Sequence, residues 1–211
     1  ITGTGGTKNV ADMVLTDDNF ATIVSAVGEG RRIYDNIRKA IQFLLGSNLS
    51  EVLSIFFATI MNFTILRAPH LLFINLVTDC FPALALGLEK PESNIMKRKP
   101  RSKTDGIFAG GLGVDCAYQG ILVSILTVIA FYIGEFLETG HLILRNIPNS
   151  EEGMTMAFFT MAMCEIFHSF NMRSQRGSAV AMVFKGHHNV ALYGAMIGSF
   201  ILTTAVVEIP F

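Results

Sequence analysis

Five long apolar segments constrain the fold of this 211-residue chain more than any other feature of its sequence. Each approaches or exceeds the roughly 20 residues that a helix needs to cross the hydrocarbon core of a bilayer. Unpaired backbone polar groups are costly in lipid, so segments of this kind cross as helices. The sequence therefore predicts an all-α, multi-pass transmembrane helix bundle of about five helices, over residues 40–66, 71–88, 112–136, 154–170 and 190–207.

The composition excludes several other classes of protein. Hydrophobic residues make up 51% of the chain and charged residues 16%, which is not the composition of a disordered protein. A net charge of −1 argues against a nucleic-acid-binding protein. The three cysteines are widely spaced and lie in apolar stretches, so we expect buried thiols and no disulfide framework.

The positions of Lys and Arg predict the orientation of the bundle. Three polar segments, those before the first, third and fifth apolar segments, carry 14 of the 16 basic residues. The two segments between them carry one each, Arg67 and Arg145. Because cytoplasmic loops are enriched in Lys and Arg, we expect a cytoplasmic N-terminus and an external C-terminal end.

The first 38 residues or so are not membrane-like, and we interpret residues 1–30 as a short α/β remnant at the end of a cytoplasmic domain. Residues 12–15 predict a short strand, residues 16–18 a turn and helix N-cap, and Phe20, Ile23, Val24 and Val27 recur at helical spacing. From Arg31 the sequence runs without Gly or Pro into the first apolar segment. We therefore expect one helix to extend from the cytoplasm into the bilayer and to transmit motion between them.

Polar side chains inside the apolar segments are the candidates for function, because ionisable groups at membrane depth are costly and usually mark an ion path. Asn48 and Glu51 are three residues apart in the first segment and share a helix face. In the second segment Asn75, Thr78 and Asp79 also share a face. Pro82 cannot donate to the carbonyl of Thr78, so we expect the helix to loosen beside Asp79.

These groups would place carboxylate, amide and hydroxyl oxygens at a similar depth, and hard cations such as Ca²⁺ prefer such ligands. The alternative is that the same groups only hydrogen-bond one helix to another. Two facing carboxylates repel each other unless they are protonated or bridged, which favours the cation site. Glu165 is a possible additional ligand; alternatively, it lies near the cytoplasmic end with Arg173. Cys164 and His168 are four residues apart, a spacing that allows a shared soft metal ion but is a weak signal.

At this point the sequence resembles a known family. The motifs are ADMVLTDDNFATIV at residues 11–24, EGR with IY at 29–34, SNLSEV at 47–52, NLVTD at 75–79 and PALALG at 82–87. They are similar to the C-terminal portion of P-type cation-transporting ATPases, in the calcium-pump-like branch and its bacterial members. The similarity is continuous to about residue 101 and looser beyond it.

The resemblance implies an architecture and a function. Residues 1–30 would close the cytoplasmic phosphorylation domain, 31–66 would form a coupling helix with the fifth transmembrane helix, and 67–211 the remaining transmembrane helices. By similarity the cation ligands would be Asn48, Glu51, Asn75, Thr78 and Asp79. The parent protein would export calcium across the cell membrane by a phosphoenzyme, alternating-access cycle that uses ATP and Mg²⁺. Its partners would be membrane lipid and the remaining domains and helices of the pump.

Some features of the family are missing from this sequence. It has no Asp-Lys-Thr-Gly-Thr phosphorylation motif, so we expect a fragment that does not hydrolyse ATP alone. Ala162 stands where two-site calcium pumps carry an acidic ligand, so either Glu165 compensates or one ion binds. The alternatives are a passive cation channel, an ion-coupled secondary transporter subunit that does not use ATP, or a structural membrane subunit.

Overall fold

The computed structural model describes residues 3–17, 19–92, 94–102, 105–174, 177–184, 186 and 188–209. Asp18 of the predicted N-cap, and Lys103, Arg176 and Lys185 among the basic residues, lie outside this part. The described chain is helical, in the order α1 (Gly5–Val10), α2 (Phe20–Met61), α3 (Ala68–Phe73), a π-helical segment (Ile74–Asp79), α4 (Cys80–Leu86), α5 (Leu112–Thr139), α6 (Glu151–Asn171), α7 (Ala179–Phe184) and α8 (Val190–Glu208). Two short 3₁₀ turns, Ile95–Lys97 and Ala109–Gly111, lie between α4 and α5.

The N-terminal prediction is partly wrong. The strand expected over residues 12–15 is absent, and these residues have no regular structure. A strand needs a neighbour to complete its hydrogen bonds, and the described residues contain no second strand. The N-cap of α2 is Asn19, whose side chain accepts from the amide of Ala21.

The prediction of one continuous helix is confirmed, because α2 runs for 42 residues without interruption. At 1.5 Å per residue it is about 63 Å long, roughly twice the thickness of a bilayer core. It ends at Met61, and Asn62 follows in a left-handed conformation that turns the chain. The amphipathic stretch that begins at Phe20 and the first apolar segment therefore belong to a single rod.

Among the described residues, four helices are long and apolar enough to cross a membrane: α2, the combined segment Ala68–Leu86, the stretch Ala109–Thr139 that contains α5, and α8. The predicted fourth segment forms α6, with 21 residues, but α6 is not among these four. It packs against α5 and α8 and contacts α4 and the π-helical segment. A helix enclosed by protein can carry polar side chains, and Glu165 and Ser169 of α6 are fully buried.

The helices pack around two apolar clusters. One lies where α5 meets α6 and includes Phe131, Phe158 and Met161; the other joins Phe43 of α2 to Leu86 and Leu192. Many large apolar side chains on α2, α5 and α8 remain exposed, among them Phe56, Ile125 and Phe200. An apolar exterior over spanning helices is what a lipid environment favours. This arrangement brings α2, the π-helical segment and α6 together around one polar cluster.

Candidate cation-binding site

The buried face of α2 carries the first part of the cluster. Three polar residues follow Ser47 at distances of three, four and seven positions, namely Ser50, Glu51 and Ser54. At this helical spacing all four lie on one side of α2. The three serines are fully buried, and Glu51 is 7% exposed. Ser50 and Ser54 donate to carbonyls of their own helix at 2.7 Å, those of Ser47 and Ser50. This polar stripe faces the π-helical segment and α6.

The π-helical segment supplies the second part, and it confirms the expected loosening before Pro82. The amide of Cys80 donates to the carbonyl of Asn75, five residues back, instead of four. Asp79 is the last residue of this wide turn and is 1% exposed. A π-helical turn inside an α-helix is found mainly at functional sites. Here it places the Asp79 carboxylate against α2.

Each of the three carboxylates is held by a neutral donor from a neighbouring helix. Asn75 donates through its amide nitrogen to both oxygens of Glu51, at 2.9 and 3.1 Å. Ser47 donates to Oδ2 of Asp79 at 2.5 Å. Oγ of Ser50 lies 3.2 Å from Oε1 of Glu165, so the single proton of this hydroxyl is shared between Glu165 and the carbonyl of Ser47. The cluster thus links α2 to the π-helical segment twice and to α6 once.

Two carboxylate oxygens in this cluster lack a hydrogen-bond partner among the described residues. They are Oδ1 of Asp79 and Oε2 of Glu165, and both are buried. An unpaired buried carboxylate oxygen is costly, and bound protons or a cation would remove that cost. No group of three His, Cys, Asp or Glu side chains in the described ranges is close enough to hold a metal ion. The arrangement therefore offers separate oxygen donors on three elements of the bundle.

Of the sequence-predicted ligands, the structure brings Glu51, Asn75 and Asp79 into the cluster with Glu165. Thr78 is fully buried beside them, but its hydroxyl donates to the carbonyl of Ile74 at 2.8 Å. Asn48 is not brought to the carboxylates, because it lies on the exposed side of α2 and donates to the carbonyl of Leu44 at 2.7 Å.

Ser47 and Ser50 belong to the polar group of the first apolar segment but are not among the predicted ligands, and in the structure they are the partners of Asp79 and Glu165. The signal that could have found them is the spacing from Ser47 to Glu51, which is one helical turn.

The weaker interpretations of α6 receive no support. Glu165 does not pair with Arg173, since it is fully buried and bonded to Ser50. His168 packs its ring against Phe43, with 5.7 Å between the ring centroids. Cys164 is only partly buried, and no bond joins it to His168 in the described part of the structure. The two side chains therefore show no soft-metal geometry.

A buried ion pair lies at the end of the bundle where α4 and α6 end and α8 begins. Arg173 and Glu89 are 0% and 1% exposed and pair through two hydrogen bonds of 3.0 and 3.1 Å. Asn189, the N-cap of α8, donates to the same carboxylate at 3.0 Å. Burial alone would lower the pKa of Arg173, but the bonds and charge of Glu89 outweigh burial and raise the pKa. The guanidinium therefore stays charged and joins three segments.

The fold and the buried carboxylates define a class: a polytopic helical membrane protein with acidic groups held between its spanning helices. The family described as "Cation transporting ATPase, C-terminus" matches residues 63–211, and the chain belongs to this family.

Individual relatives are consistent with that assignment. The chain is 40% identical over its whole length to a calcium-transporting ATPase of Bacillus subtilis (strain 168), of which it covers 22%. It is 38% identical, again over its whole length, to calcium-transporting ATPase 1 of Bacillus cereus, covering 24%. It is 33% identical over 98% of its length to the endoplasmic reticulum-type calcium-transporting ATPase 3 of Arabidopsis thaliana, covering 22%. The chain thus spans about a fifth to a quarter of the length of these relatives.

Proposed function

We propose that this chain is the C-terminal transmembrane part of an ATP-driven pump that exports calcium across the cell membrane. The observation that carries the proposal is that two buried carboxylates facing α2, those of Asp79 and Glu165, each have one oxygen without a hydrogen-bond partner among the described residues. Because desolvated carboxylates gain most from a cation, such a site would bind calcium tightly in one geometry and release it when the helices move apart. The printed names of the relatives favour calcium over other hard cations.

The proposed ligands are carboxylate, amide and hydroxyl oxygens from three elements. Glu51 comes from α2, Asn75, Thr78 and Asp79 from the π-helical segment, and Glu165 from α6. Asn48 remains part of the proposed set, and it would have to leave the Leu44 carbonyl and turn toward Glu51 to reach the ion. The serines that now donate to Asp79 and Glu165 would give way to the ion or reorient their lone pairs toward it.

The proposed energy source is phosphorylation of an aspartate elsewhere in the longer protein by Mg²⁺-ATP. Residues 1–30 would close the phosphorylation domain, and α2 would carry its movement into the bilayer. A continuous 42-residue helix suits this role, since about half of its length is enough to cross the hydrocarbon core. The basic segments would face the cytoplasm, where the ATP is, and lipid would cover the apolar exterior.

The test is Asp79→Asn in the full-length pump, reconstituted in membrane vesicles. We expect calcium-dependent formation of the phosphoenzyme from ATP to be abolished while nucleotide binding survives. The reason is that Asn keeps the size and shape of Asp79 but lacks its negative charge. Asp115→Asn on the exposed side of α5 makes the same chemical change and should leave phosphorylation intact. Undiminished phosphorylation in the Asp79 variant would reject the assigned site. Calcium flux through the wild-type protein without ATP would favour a channel or ion-coupled carrier instead.

A further inference from the structure

A second polar site lies apart from the carboxylate cluster, in a cavity of about 810 Å³. Its walls come from the N-terminal half of α2, the 94–102 loop and the residues just before α5. Five of the lining side chains are cationic: Arg31, Arg38, Arg98, Lys99 and Arg101. Two are acidic, Asp35 and Asp105. The walls therefore carry an excess of positive charge.

The acidic groups around this cavity are already engaged. Asp35 and Glu92 both pair with Arg98. Asp105 accepts a hydrogen bond from the amide of Ser102 at 3.2 Å. In the described ranges Lys99 and Arg101 have no carboxylate partner, and both are exposed at the cavity. The charge of these two side chains is therefore available to a ligand.

The floor of the cavity carries donors that lack acceptors. Nε of Arg38 and the hydroxyl of Tyr34 are buried and have no hydrogen-bond partner among the described residues. Nη2 of Arg38 donates to the carbonyl of Ala109 at 2.6 Å, which fixes the guanidinium against the turn before α5. The guanidinium carbon of Arg101 lies 4.3 Å from the centroid of the Tyr34 ring. This cation–π contact holds Arg101 over the cavity.

We propose that this cavity binds the phosphate group of an anionic ligand. Hydrogen bonds from guanidinium and ammonium groups to phosphate are charge-assisted and stronger than neutral ones, and the unpaired donors of Arg38 and Tyr34 would gain acceptors. The volume is well above that of inorganic phosphate alone, which leaves room for an organic group on the ligand.

The position of the cavity favours a phospholipid headgroup as the source of the phosphate. Arg38 precedes the apolar stretch of α2 by two residues, and Ala109 and Gly110 precede that of α5. The cavity is therefore level with the end of the hydrocarbon core, where headgroups lie and where clustered basic side chains attract anionic lipids. A soluble phosphate ester has the same binding chemistry, and the test separates the two sources.

The experiment measures lipid binding to the full-length protein by native mass spectrometry in detergent, without ATP or calcium. Phosphatidylglycerol and phosphatidylcholine are titrated separately, and inorganic phosphate and glycerol 3-phosphate are then added as competitors. The site variant is Lys99→Gln with Arg101→Gln, and Tyr34→Phe removes only the unpaired hydroxyl. The matched control is Lys97→Gln, an exposed lysine two residues from Lys99 that does not line the cavity.

We expect wild-type protein and the Lys97 control to prefer phosphatidylglycerol, and the double variant to lose about tenfold in affinity for it. Binding of glycerol 3-phosphate that depends on the same residues, without a lipid preference, would assign the phosphate to a soluble ligand. Equal affinity for both lipids with no binding of either soluble anion would overturn the proposal. An equal loss in the Lys97 control would overturn it too, since it would show a diffuse surface charge effect. Because neither ATP nor calcium is present, the result is independent of the proposed transport.

Discussion

Individual residues in this bundle show how a membrane protein keeps charged groups away from lipid. Every fully buried carboxylate described above is held by a specific partner from another segment of the chain: Asp79 by Ser47, Glu165 by Ser50, and Glu89 by Arg173 and Asn189. The first two partners are neutral hydroxyls that leave one oxygen unpaired, whereas Glu89 has a full countercharge. The unpaired oxygens are suited to binding an exchangeable ion, whereas the complete ion pair is suited to a permanent structural contact between segments.

The ion pair gives a prediction about stability. Arg173→Met in the full-length protein leaves Glu89 buried without a countercharge, and we expect a loss of about 3 to 5 kcal/mol. The double variant with Glu89→Met should regain most of this loss, because the carboxylate that lost its hydrogen-bonded partner is then removed as well. The measurement is thermal unfolding of the purified protein in detergent.

The matched control for this prediction is the exposed pair of Arg32 and Glu29, whose side chains are 26% and 53% exposed. Glu29→Gln should change the unfolding temperature little, since exposed ion pairs contribute about 0 to 1 kcal/mol. If Arg173→Met lowered the unfolding temperature no more than Glu29→Gln, the pair of Arg173 and Glu89 would not stabilise the bundle.

At the scale of helices, glycines decide how closely neighbours approach. A Cβ on Gly134 of α5 would lie 2.7 Å from the carbonyl oxygen of Glu152 and 2.8 Å from the Cα of Gly153, both in the backbone of α6. Backbone atoms cannot rotate away as a side chain can. The contact between α5 and α6 therefore depends on the absence of a side chain at this position.

Gly134→Ala should accordingly separate α5 from α6 and destabilise the full-length protein by about 1 to 3 kcal/mol. Gly113→Ala on the same helix is the control, because its Cβ would meet only a Phe108 ring atom, at 3.9 Å. That change should be neutral or stabilising by up to about 1 kcal/mol, since Ala is the better helix former. Thermal unfolding in detergent measures both, and equal effects would show that the close approach is unimportant.

Helices were predictable to different extents. Length and apolar content were enough to predict α2, α5 and α8 as helices. The missing amide hydrogen of Pro82 was enough to predict the wide turn before it. The prediction of a strand over residues 12–15 was wrong, because a strand forms only where a second strand elsewhere in the protein pairs with it. The site was predictable only in part. Helical spacing identified Glu51, Asn75 and Asp79, but which side of α2 packs inward, and so leaves Asn48 exposed, depends on the neighbouring helices. Glu89 and Arg173 are 84 residues apart, and no local pattern joins them.

At the scale of the whole molecule, the polar features are arranged along the bundle axis. The ion pair and the cationic cavity lie toward the end with the basic segments. At the other end, the loop between α5 and α6 carries Arg145, and the adjoining ends of the two helices carry several glutamates. Helix α5, at 28 residues or about 42 Å, is long enough to separate these two ends by a full bilayer core. The carboxylate cluster lies between them along the bundle.

This arrangement predicts the sidedness of the two loops that flank α5. In a full-length variant with Cys80, Cys116 and Cys164 replaced, a cysteine at Lys97 should react with an impermeant maleimide only in inside-out vesicles. A cysteine at His141, in the exposed α5–α6 loop, should react only in intact cells. The reason is the excess of Lys and Arg on one side, because basic loops are retained in the cytoplasm. Labelling of both positions from one side would mean that α5 does not cross the bilayer, and the reverse pattern would mean that the basic loops face outward.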